Sequence, residues 1–406
     1  MPDIKLPHIP EPSTRLAVKL NANAERSVVQ GHPWVFENSI EKLNKKGEMG
    51  QVAVIFRKRD NAFIGVGLFD PSSPIRIKIL HSGLPKIINA TFFETAINDA
   101  FKKRATLLKT NTTSYRLLFG ENDGFPGLIA DVYSSVLVVK LYSEIWLPYL
   151  PTIVKNLIQV SGVSTVVLRL SRHLQQTTKR VTDGSVIYGS LAQEVVPFTE
   201  HGVQFSANVI KGHKTGYFLD HRHNRQRVGA LSRGKTVLDV FSYAGGFSVH
   251  ALANQATSVT SLDISKQALN VAVANGKLNA YTGKHYTIAG DAFTEMKQLI
   301  QAGKTYDIVV IDPPSFAKQQ SEIALAKKKY RQLALLGMQL TAFKGILVLA
   351  SCSSRILAEA FFAINHNALS GTKRPFKVIL KTGHDVDHPI GFAEGAYLKC
   401  GYYQLD

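Results

Sequence analysis

Residues 236–265, TVLDVFSYAGGFSVHALANQATSVTSLDIS, constrain this chain more than any other stretch. They predict a strand, a glycine turn, a helix and a second strand, with an aspartate closing each strand. Gly245 and Gly246 allow the backbone of the turn to approach a ligand without a Cβ clash. Asp263 follows Asp239 by 24 positions, close to the roughly 20 expected before an acid that holds a ribose diol. The stretch therefore predicts half of a nucleotide-type pocket.

The turn differs from the fingerprint of dinucleotide-binding proteins. The pattern G-x-G-x-x-G is absent, and a carboxylate at the end of the first strand would repel a phosphate. Asp239 instead suits a ligand with a ribose, an adenine and positive charge, and S-adenosylmethionine has all three. The alternative interpretation is a plain βαβ unit whose glycines only pack the helix on the strand.

Charge and cysteine content narrow the class of protein. The formal net charge of +18 favours a polyanionic partner over an ordinary solvated basic surface. Cys352 and Cys400 are the only cysteines, which argues against a disulfide framework and a cysteine-based zinc site, so no metal is expected. Without an apolar run of roughly 18 to 20 residues or a signal peptide, we expect a cytoplasmic protein with no membrane contact.

Three domains are predicted along the chain. Residues 1–82 carry short alternating runs that indicate a small antiparallel β-barrel, in which Trp34 and the RKR run at 57–59 are candidate RNA contacts. Residues 88–197 predict a middle α/β domain that begins with a helix at 91–110. Strands and helices alternate over residues 200–406, which predicts a parallel sheet covered on both faces.

Polar or reactive residues end five predicted strands of the last domain. They are Asp239, Asp263, Asp291, Asp312 and Cys352. Because ligands of open α/β sheets bind at the carboxyl ends of the strands, we expect these residues to line one crevice.

The pairing of Asp312 with Cys352 suggests a chemistry. Pro313 and Pro314 stiffen the corner that presents Asp312 to a planar base, with Phe316 nearby for stacking. Most free cysteines are small buried hydrophobes, and Cys400 is interpreted so. A cysteine at a strand end beside Asp312 instead suggests a nucleophile for a carbon such as C5 of cytosine.

In the reaction we expect, the Cys352 thiolate adds to C6, C5 takes a methyl group from a sulfonium, and a base removes the C5 proton before the thiol leaves. Asp312 would hold N3 and N4 of the ring. An unperturbed thiol has a pKa of about 8.5, so the site must supply positive charge, for which Lys214, Arg222 and Arg225 are candidates. The target cytosine must leave its stack or lie in single-stranded RNA to enter the crevice.

Several segments together resemble one known family. They are GHPWVF at 31–36, YRLLFGENDGFPGLIAD at 115–131, KTGYFLDHRHNR at 214–225, VLDVFSYAGGFSVHA at 237–251, VVIDPPSFAK at 309–318, SCS at 351–353 and DHPIGFAEGAYLK at 387–399. The chain resembles the bacterial large-subunit (23S) rRNA cytosine-C5 methyltransferases, which join an N-terminal PUA domain to a class I S-adenosylmethionine-dependent domain. The resemblance covers nearly the whole chain.

The resemblance implies an α/β fold class, with a Rossmann-like C-terminal domain around a mostly parallel seven-stranded sheet, a middle α/β domain and a PUA barrel. It implies S-adenosylmethionine as the cofactor and 23S rRNA or the assembling large subunit as the partner. The oligomeric state stays open, a homodimer included.

Roles for particular residues also come from the resemblance. Cys352 would be the nucleophile, Asp312 would belong to the catalytic motif, and KTGYFLDHR would fold over the cofactor. The expected cofactor-binding residues are Lys214, Gly216, Tyr217, Asp220, Arg222, Asp239, Phe241, Ser242, Tyr243, Gly245, Gly246, Phe247, Asp263, Ile264, Asp291, Ala292, Asp312, Pro313 and Pro314.

This chain departs from the family at a few positions. His213, Tyr217 and His221 stand where the family usually has Gln, Phe and Gln. Ser315 stands where a second cytosine methyltransferase family has a cysteine that helps to release the product, so the base that removes the C5 proton is unassigned.

Two alternatives remain open. An rRNA guanine-N7 methyltransferase would share the Asp-Pro-Pro-x-Phe corner and would need no covalent nucleophile. A non-catalytic RNA-binding assembly factor would keep the barrel and a degenerate cofactor fold. A dehydrogenase is disfavoured because the phosphate-binding turn is missing.

Overall fold

The computed structural model describes residues 3–406, which form two compact units. The first unit comprises the chain up to Thr199 together with Ser206–Leu219 and Val386–Gly395. The second comprises Glu200–Phe205, Asp220–Asp385 and Ala396–Asp406. The division into three domains at the predicted boundaries stays a prediction.

The N-terminal part of the first unit is a six-stranded sheet. Its elements are β1 (Leu16–Leu20), α1 (Ala22–Val29), β2 (Trp34–Phe36), β3 (Ile40–Leu43), β4 (Val52–Phe56), β5 (Phe63–Phe69) and β6 (Ile75–Ser82). The strand order is β2-β6-β5-β4-β1-β3. The expected small β domain is confirmed, but its strands are not all antiparallel, because β1 pairs with β4 in parallel. A parallel pair needs a long connection, and α1, β2 and β3 supply it.

The rest of the first unit is built on a five-stranded sheet. Its elements are α2 (Ala90–Arg104), β7 (Ser114–Phe119), β8 (Leu128–Tyr133), β9 (Val136–Leu141), α3 (Leu150–Ser161), β10 (Thr165–Leu170), α4 (Arg172–Thr177) and β11 (Ser185–Tyr188). The strand order is β11-β10-β9-β8-β7. Helix α3 connects β9 to β10, which run parallel. Trp146, Phe93, Phe125 and Tyr149 pack in one aromatic cluster of its core.

Two further strands, β12 (Val195–Glu200) and β13 (Val203–Asn208), form a two-stranded sheet.

The second unit alternates helices and strands. Its elements are α5 (Arg222–Leu231), β14 (Thr236–Val240), α6 (Gly246–Ala253), β15 (Ser258–Asp263), α7 (Lys266–Lys277), β16 (Lys284–Ala289), α8 (Ala292–Gln301), β17 (Tyr306–Ile311), α9 (Ile323–Leu340), β18 (Thr341–Ser351), α10 (Ala358–Ser370), β19 (Phe376–Thr382) and β20 (Lys399–Leu405).

These strands form one seven-stranded sheet in the order β16-β15-β14-β17-β18-β20-β19. The first five strands of that order run parallel, and β20 runs antiparallel to both of its neighbours. The expected mostly parallel, Rossmann-like α/β sheet is therefore confirmed. Strand order reverses between β14 and β17, and such a switch point opens a crevice at the carboxyl ends of the strands.

The central strands of this sheet are nearly continuous apolar runs, as strands covered on both faces require. Val237, Leu238, Val309 and Val310 are completely buried. Along residues 3–406, no helix combines the length and the apolar character that crossing a membrane requires.

Candidate active site

The polar strand ends predicted from the sequence lie at one edge of the seven-stranded sheet. Asp263 is the last residue of β15, Asp312 directly follows β17 and Cys352 directly follows β18. Asp239 is the penultimate residue of β14, and Asp291 precedes α8 at the end of the β16 connection. Since β14 to β18 are parallel and in register, their carboxyl ends share that edge.

The turn after β14 has an unusual backbone. Phe241 and Tyr243 adopt positive φ angles of 65° and 47°, a left-handed conformation that is strained for residues other than glycine. The Tyr243 amide donates a hydrogen bond to Asp263 Oδ2 at 2.9 Å, and the Ser242 amide donates one to the Leu262 carbonyl at 3.0 Å. The end of β15 therefore holds the turn in this conformation.

Gly245, the cap residue immediately before α6, lies in the left-handed region with a φ of 79°. A Cβ atom on this residue would lie 2.7 Å from the Cβ of Ala272 in α7. The close packing of α6 and α7 therefore requires this glycine. The alternative interpretation, a plain βαβ unit, gives the glycines of the turn this packing role. Phe247, near the start of α6, is buried against His221 with a ring separation of 5.6 Å.

The carboxyl group of Asp239 is buried, and its two oxygens differ in their hydrogen bonds. Its Oδ2 accepts hydrogen bonds from the Ser248 amide and hydroxyl at 3.0 and 2.7 Å. Within residues 3–406, its Oδ1 and the hydroxyl of Ser242 have no hydrogen-bond partner. Burial raises the pKa of Asp239 to about 7, although the Ser248 hydrogen bonds oppose the shift.

Buried polar atoms are nearly always hydrogen-bonded in proteins, so these two atoms point to a bound molecule with donors. The hydroxyl groups of a ribose or a cationic group would satisfy Asp239 Oδ1. S-adenosylmethionine offers both, and these residues fit it.

Asp263, Ile264 and Asp291, three other predicted cofactor contacts of this edge, are more exposed than Asp239. Asp263 Oδ1 accepts a hydrogen bond from the Ser265 amide at 2.9 Å, and Ile264 is 77% exposed. Asp291 caps α8 by accepting from the Thr294 amide at 3.0 Å, and Ala292 is buried. Contacts of these residues with a cofactor stay predictions.

The segment KTGYFLDHR is divided between the two units after Leu219. In the first unit, the Lys214 carbonyl accepts a hydrogen bond from Lys140 Nζ at 2.7 Å. Gly216 has a φ of 140°, and the Tyr217 amide donates to Tyr133 Oη at 3.1 Å. The expectation that this segment folds over a cofactor stays a prediction.

In the second unit, the two arginines predicted to supply positive charge to Cys352 form ion pairs with carboxylates. Arg222 is completely buried and contacts Asp385 at 2.8 Å, and Arg225 makes two hydrogen bonds of 2.7 Å to Glu200. Asp220 accepts a hydrogen bond from Tyr397 Oη at 2.9 Å. The two arginines therefore neutralise carboxylates, which differs from the expectation that they supply positive charge to Cys352.

Three polar side chains meet at the ends of β17 and β18. Cys352 Sγ lies 3.9 Å from Asp312 Oδ1 and 3.6 Å from His221 Nε2. His221 Nε2 lies 3.4 Å from Asp312 Oδ1. The sequence predicts the first pair but marks His221 only as a departure from the resembled family, because nothing in one sequence links residues 131 positions apart.

Burial and the neighbouring charges have opposing effects on the pKa values of this cluster. Burial raises the pKa of the Cys352 thiol well above its ordinary value, and the charge of Asp312 adds to that rise, whereas Lys399 opposes it. Burial would lower the pKa of His221, but the neighbouring Asp312 carboxylate outweighs burial and raises it. A thiolate at Cys352 therefore depends on nearby hydrogen-bond donors and positive charge.

Hydrogen bonds of the residues before and after Pro313 and Pro314 fix the Asp-Pro-Pro corner. The Asp312 amide donates to the Val240 carbonyl at 3.3 Å, and Pro313 is buried whereas Pro314 is exposed. Ser315 Oγ donates to the Ala317 carbonyl at 3.1 Å. Phe316 packs against Tyr330 with ring centroids 5.2 Å apart, so part of its surface is already used in the core.

The same cluster also has the composition of a metal site. Donor atoms of His221, Asp312 and Cys352 lie within 4.8 Å of one another, and zinc accepts all three types of ligand. The sequence predicts no metal, and treatment with a chelator tests that prediction.

The predicted RNA contacts of the N-terminal sheet have partners in the first unit. Trp34 Nε1 donates to Glu121 Oε1 at 3.1 Å, and its ring packs edge-on against Phe392. Arg57, Lys58 and Arg59 each form an ion pair with a neighbouring carboxylate. Contacts with RNA stay predictions for all four residues.

Two family models and several known proteins are similar to this chain in sequence. Residues 115–368 match the model of the S-adenosylmethionine-dependent methyltransferase family, and residues 18–82 match that of the PUA-like domain. A "Ribosomal RNA large subunit methyltransferase" of Deinococcus radiodurans is 41% identical over 97% of this chain and 98% of its own length. A "Ribosomal RNA large subunit methyltransferase I" of Shewanella frigidimarina is 33% identical over 95% of this chain and 98% of its own.

A solved structure has the same fold. It is a Streptococcus mutans protein described as a SAM-dependent methyltransferase, with a TM-score of 0.80 and 23% sequence identity, covering 96% of this chain and 99% of that one. The family match spans the strand-end aspartates, the buried Asp239 and the Cys352 cluster. The chain therefore belongs to the family of methyltransferases that use S-adenosylmethionine as their cofactor, and it carries a PUA-like domain at its N-terminal end.

Proposed function

We propose that this protein methylates C5 of a cytosine in large-subunit (23S) rRNA, with Cys352 as a covalent nucleophile. The observation that carries the proposal is the approach of Cys352 Sγ to within 3.9 Å of Asp312 Oδ1 at the ends of adjacent strands. The names of the Deinococcus and Shewanella relatives support an rRNA substrate. A net charge of +18 supports a polyanionic one.

S-adenosylmethionine, when bound, supplies an electrophilic methyl group. Asp239 Oδ1 and the Ser242 hydroxyl, both without partners in the described part of the chain, would hold it. The strained turn at Phe241 and Tyr243 positions those two groups.

The reaction begins when the thiol proton of Cys352 passes to Asp312 and the thiolate adds to C6 of cytosine. A C6–S bond forms, the electrons of the C5=C6 double bond move to C5, and Asp312 delivers its proton to N3. C5 would then take the methyl group that the sulfonium supplies, with the electrons of the broken S–CH3 bond staying on that sulfur, and N3 returns its proton to Asp312. Asp312 faces Sγ from the stiff proline corner, which suits it to both transfers.

Release restores the aromatic ring. The remaining C5 proton passes to water, the electrons of the C5–H bond restore the C5=C6 double bond, and the C6–S bond breaks with its electrons returning to Sγ. Asp312 then returns its proton to Sγ, which restores the thiol and the carboxylate. Ser315 donates its hydroxyl hydrogen to the Ala317 carbonyl. We expect Ser315→Ala to keep full turnover, and a loss of turnover would make Ser315 the base.

The test uses methyl-labelled S-adenosylmethionine and unmodified 23S rRNA, followed by digestion to nucleosides. Label in 5-methylcytidine is expected with the wild-type protein, and its loss is expected in Cys352→Ala. Cys400→Ala is the matched control, because Cys400 is completely buried in the core and is the only other cysteine. Label in 7-methylguanosine that persists in Cys352→Ala would instead establish a guanine-N7 methyltransferase.

A non-catalytic assembly factor predicts a different result. It would bind rRNA and transfer no label in any variant. Calorimetry with S-adenosylmethionine then separates a degenerate cofactor site from an inactive rRNA substrate, since only the degenerate site fails to bind the cofactor.

A further inference from the structure

His221 lies against the reacting sulfur but has no role in the reaction described above. It is the residue immediately before α5, and it is 3% exposed. Its Nε2 atom lies 3.6 Å from Cys352 Sγ and 3.4 Å from Asp312 Oδ1. A buried imidazole in this position contacts both groups that exchange the thiol proton.

Its hydrogen bonds determine which ring nitrogen carries hydrogen. Asn224 Nδ2 lies 3.2 Å from His221 Nδ1. The amide oxygen of Asn224 accepts hydrogen bonds from Thr382 Oγ1 at 2.7 Å and Tyr402 Oη at 3.0 Å. With its oxygen so occupied, Asn224 turns its NH₂ group toward the ring, so Nδ1 is the acceptor and Nε2 carries the hydrogen.

We propose that His221 is a catalytic residue that donates the Nε2 hydrogen to Cys352 Sγ and stabilises the thiolate. This inference rests on the proposed function, in which Cys352 is the nucleophile. His221 keeps its own proton throughout, while the thiol proton passes to Asp312, so the ring gains and loses nothing in the cycle. Nε2 bears a hydrogen in the neutral tautomer described above and in the imidazolium alike.

The need for such a donor follows from the surroundings of the sulfur. Cys352 is close to the Asp312 carboxylate, which repels a second negative charge. The Nε2 hydrogen faces both groups, so it attracts the negative charge on the sulfur once the thiol proton has moved to Asp312. A hydrogen bond to a charged acceptor corresponds to roughly a ten- to hundredfold change in an equilibrium constant, which sets the expected size of the effect on the thiolate.

Two substitutions separate this role from a purely structural one. In His221→Gln, the side-chain amide can place an N–H group near the position of Nε2, so the donor is retained without a titrating ring. In His221→Leu, a side chain of similar bulk fills the space beside Phe247 but has no donor. A role limited to packing would be kept by Leu at least as well as by Gln.

The measurement is the rate at which iodoacetamide alkylates Cys352 in the full-length protein, read for each cysteine by peptide mass spectrometry at pH 7.5. Because the thiolate is the reactive form, the rate follows its population. We expect His221→Gln to stay within about threefold of wild type and His221→Leu to fall by about tenfold or more. Cys400 is the internal control, since it is completely buried and reacts only in unfolded protein.

Several outcomes would overturn the inference. They are an unchanged Cys352 rate in His221→Leu, an equal loss in both variants, and a rise in the wild-type rate on adding EDTA, which would show that the cluster holds a metal ion. If alkylation of Cys400 shows that His221→Leu is unfolded, ¹⁵N NMR of histidine-labelled wild-type protein tests the inference instead. A protonated Nε2 and an unprotonated Nδ1 are expected, and the opposite tautomer contradicts the inference.

This assay needs neither RNA nor cofactor, so its failure is distinct from failure of the proposed function. A wild-type protein that makes no 5-methylcytidine refutes the proposed function whatever the alkylation rates are. A wild-type protein that makes 5-methylcytidine, together with an unchanged rate in His221→Leu, refutes only the role of His221.

Discussion

The ammonium group of Lys399 donates a hydrogen bond to the carbonyl oxygen of Ser353, one residue beyond Cys352. Lys399 is 2% exposed, and burial lowers its pKa to about 8, with Cys352 partly opposing the shift. A buried lysine is rare unless it has a partner. Its charge acts on Cys352 and lowers the pKa of that thiol.

We therefore expect Lys399→Met to slow alkylation of Cys352 at pH 7 by roughly threefold to tenfold, because the thiolate loses a nearby positive charge. The wild-type lysine loses its own charge as the pH rises through about 8. The difference between the two proteins should therefore shrink toward pH 9. Lys377→Met, at an exposed position of β19, is the control. Equal rates at pH 7 in all three proteins would show that Lys399 has only a structural role.

Asp239 should make the stability of the cofactor-free protein depend on pH. Its pKa is raised from 3.8 to about 7, so the folded state binds more protons than the unfolded state between these values. Its contribution to stability is complete below about pH 4 and is lost as the pH rises through 7. Relative to Asp239→Asn, wild type should lose about 2 kcal/mol of unfolding free energy between pH 5 and 8. Urea unfolding at both pH values measures this, and parallel curves for the two proteins would contradict it.

The same substitution should weaken binding of S-adenosylmethionine, because Asp239→Asn replaces the carboxylate expected to face the ribose or the cationic group. Calorimetry at pH 7.5 is expected to show at least a tenfold loss of affinity, about 1.4 kcal/mol. Lys377→Met, at an exposed position of β19, is the control. Unchanged affinity in Asp239→Asn would move the cofactor site away from this turn.

Glu200 should be essential for the stability of the second unit. It is completely buried and accepts hydrogen bonds from Arg225 at 2.7 Å and His250 at 2.9 Å. Burial would raise its pKa, but Arg225 outweighs burial and lowers it. Glu200→Gln leaves the Arg225 charge unpaired and should cost about 3 to 5 kcal/mol of unfolding free energy.

An exposed ion pair provides the comparison for Glu200. Glu194 contacts Lys211 at 2.9 Å at the surface, and Glu194→Gln should change the unfolding free energy far less than Glu200→Gln. Because the pKa of Glu200 is lowered, its contribution in wild type is complete above about pH 4.5 and is lost as the pH falls. Similar costs for the two substitutions in urea unfolding would argue against the buried pair.

The strand ends of the second unit could be predicted because a parallel sheet leaves a strong local signal. Apolar runs closed by Asp312 and Cys352 imply a shared edge from the local pattern alone. Helix α1 was missed because it spans only eight residues between two strands of the β domain, with Val28 as its only buried residue. The partners of Arg222 and Arg225 were missed for another reason. Asp385 and Glu200 are distant in the chain, and only the folded unit brings them together.

The site itself was predicted in part for the same reasons. Asp312 and Cys352 each follow an apolar strand, which is a signal within a few residues. His221 and Lys399 follow no such pattern, and they reach Cys352 through the packing of α5 and the antiparallel strand β20. One sequence does not contain that information, because a histidine or lysine has the same local surroundings in many surface loops.

Gly245 provides a test of how the turn from Phe241 to Tyr243 is held. Its φ of 79° makes any other residue strained, and an added Cβ would lie 2.7 Å from Ala272 Cβ and 3.0 Å from Ala272 Cα. Gly303 has a similar φ of 65°, but a Cβ there would meet nothing within 4 Å. Gly303→Ala should therefore cost about 1 kcal/mol for the backbone alone, and Gly245→Ala about 2 to 4 kcal/mol because α7 must also move.

The displaced helix α7 should also disturb the turn from Phe241 to Tyr243, so Gly245→Ala should bind S-adenosylmethionine at least tenfold more weakly, whereas Gly303→Ala should bind it normally. Urea unfolding and calorimetry on both variants measure the two effects. Equal unfolding free energies for the variants would mean that α7 moves aside without cost. Normal cofactor binding by a destabilised Gly245→Ala would show that this glycine serves packing alone, as the plain βαβ interpretation holds.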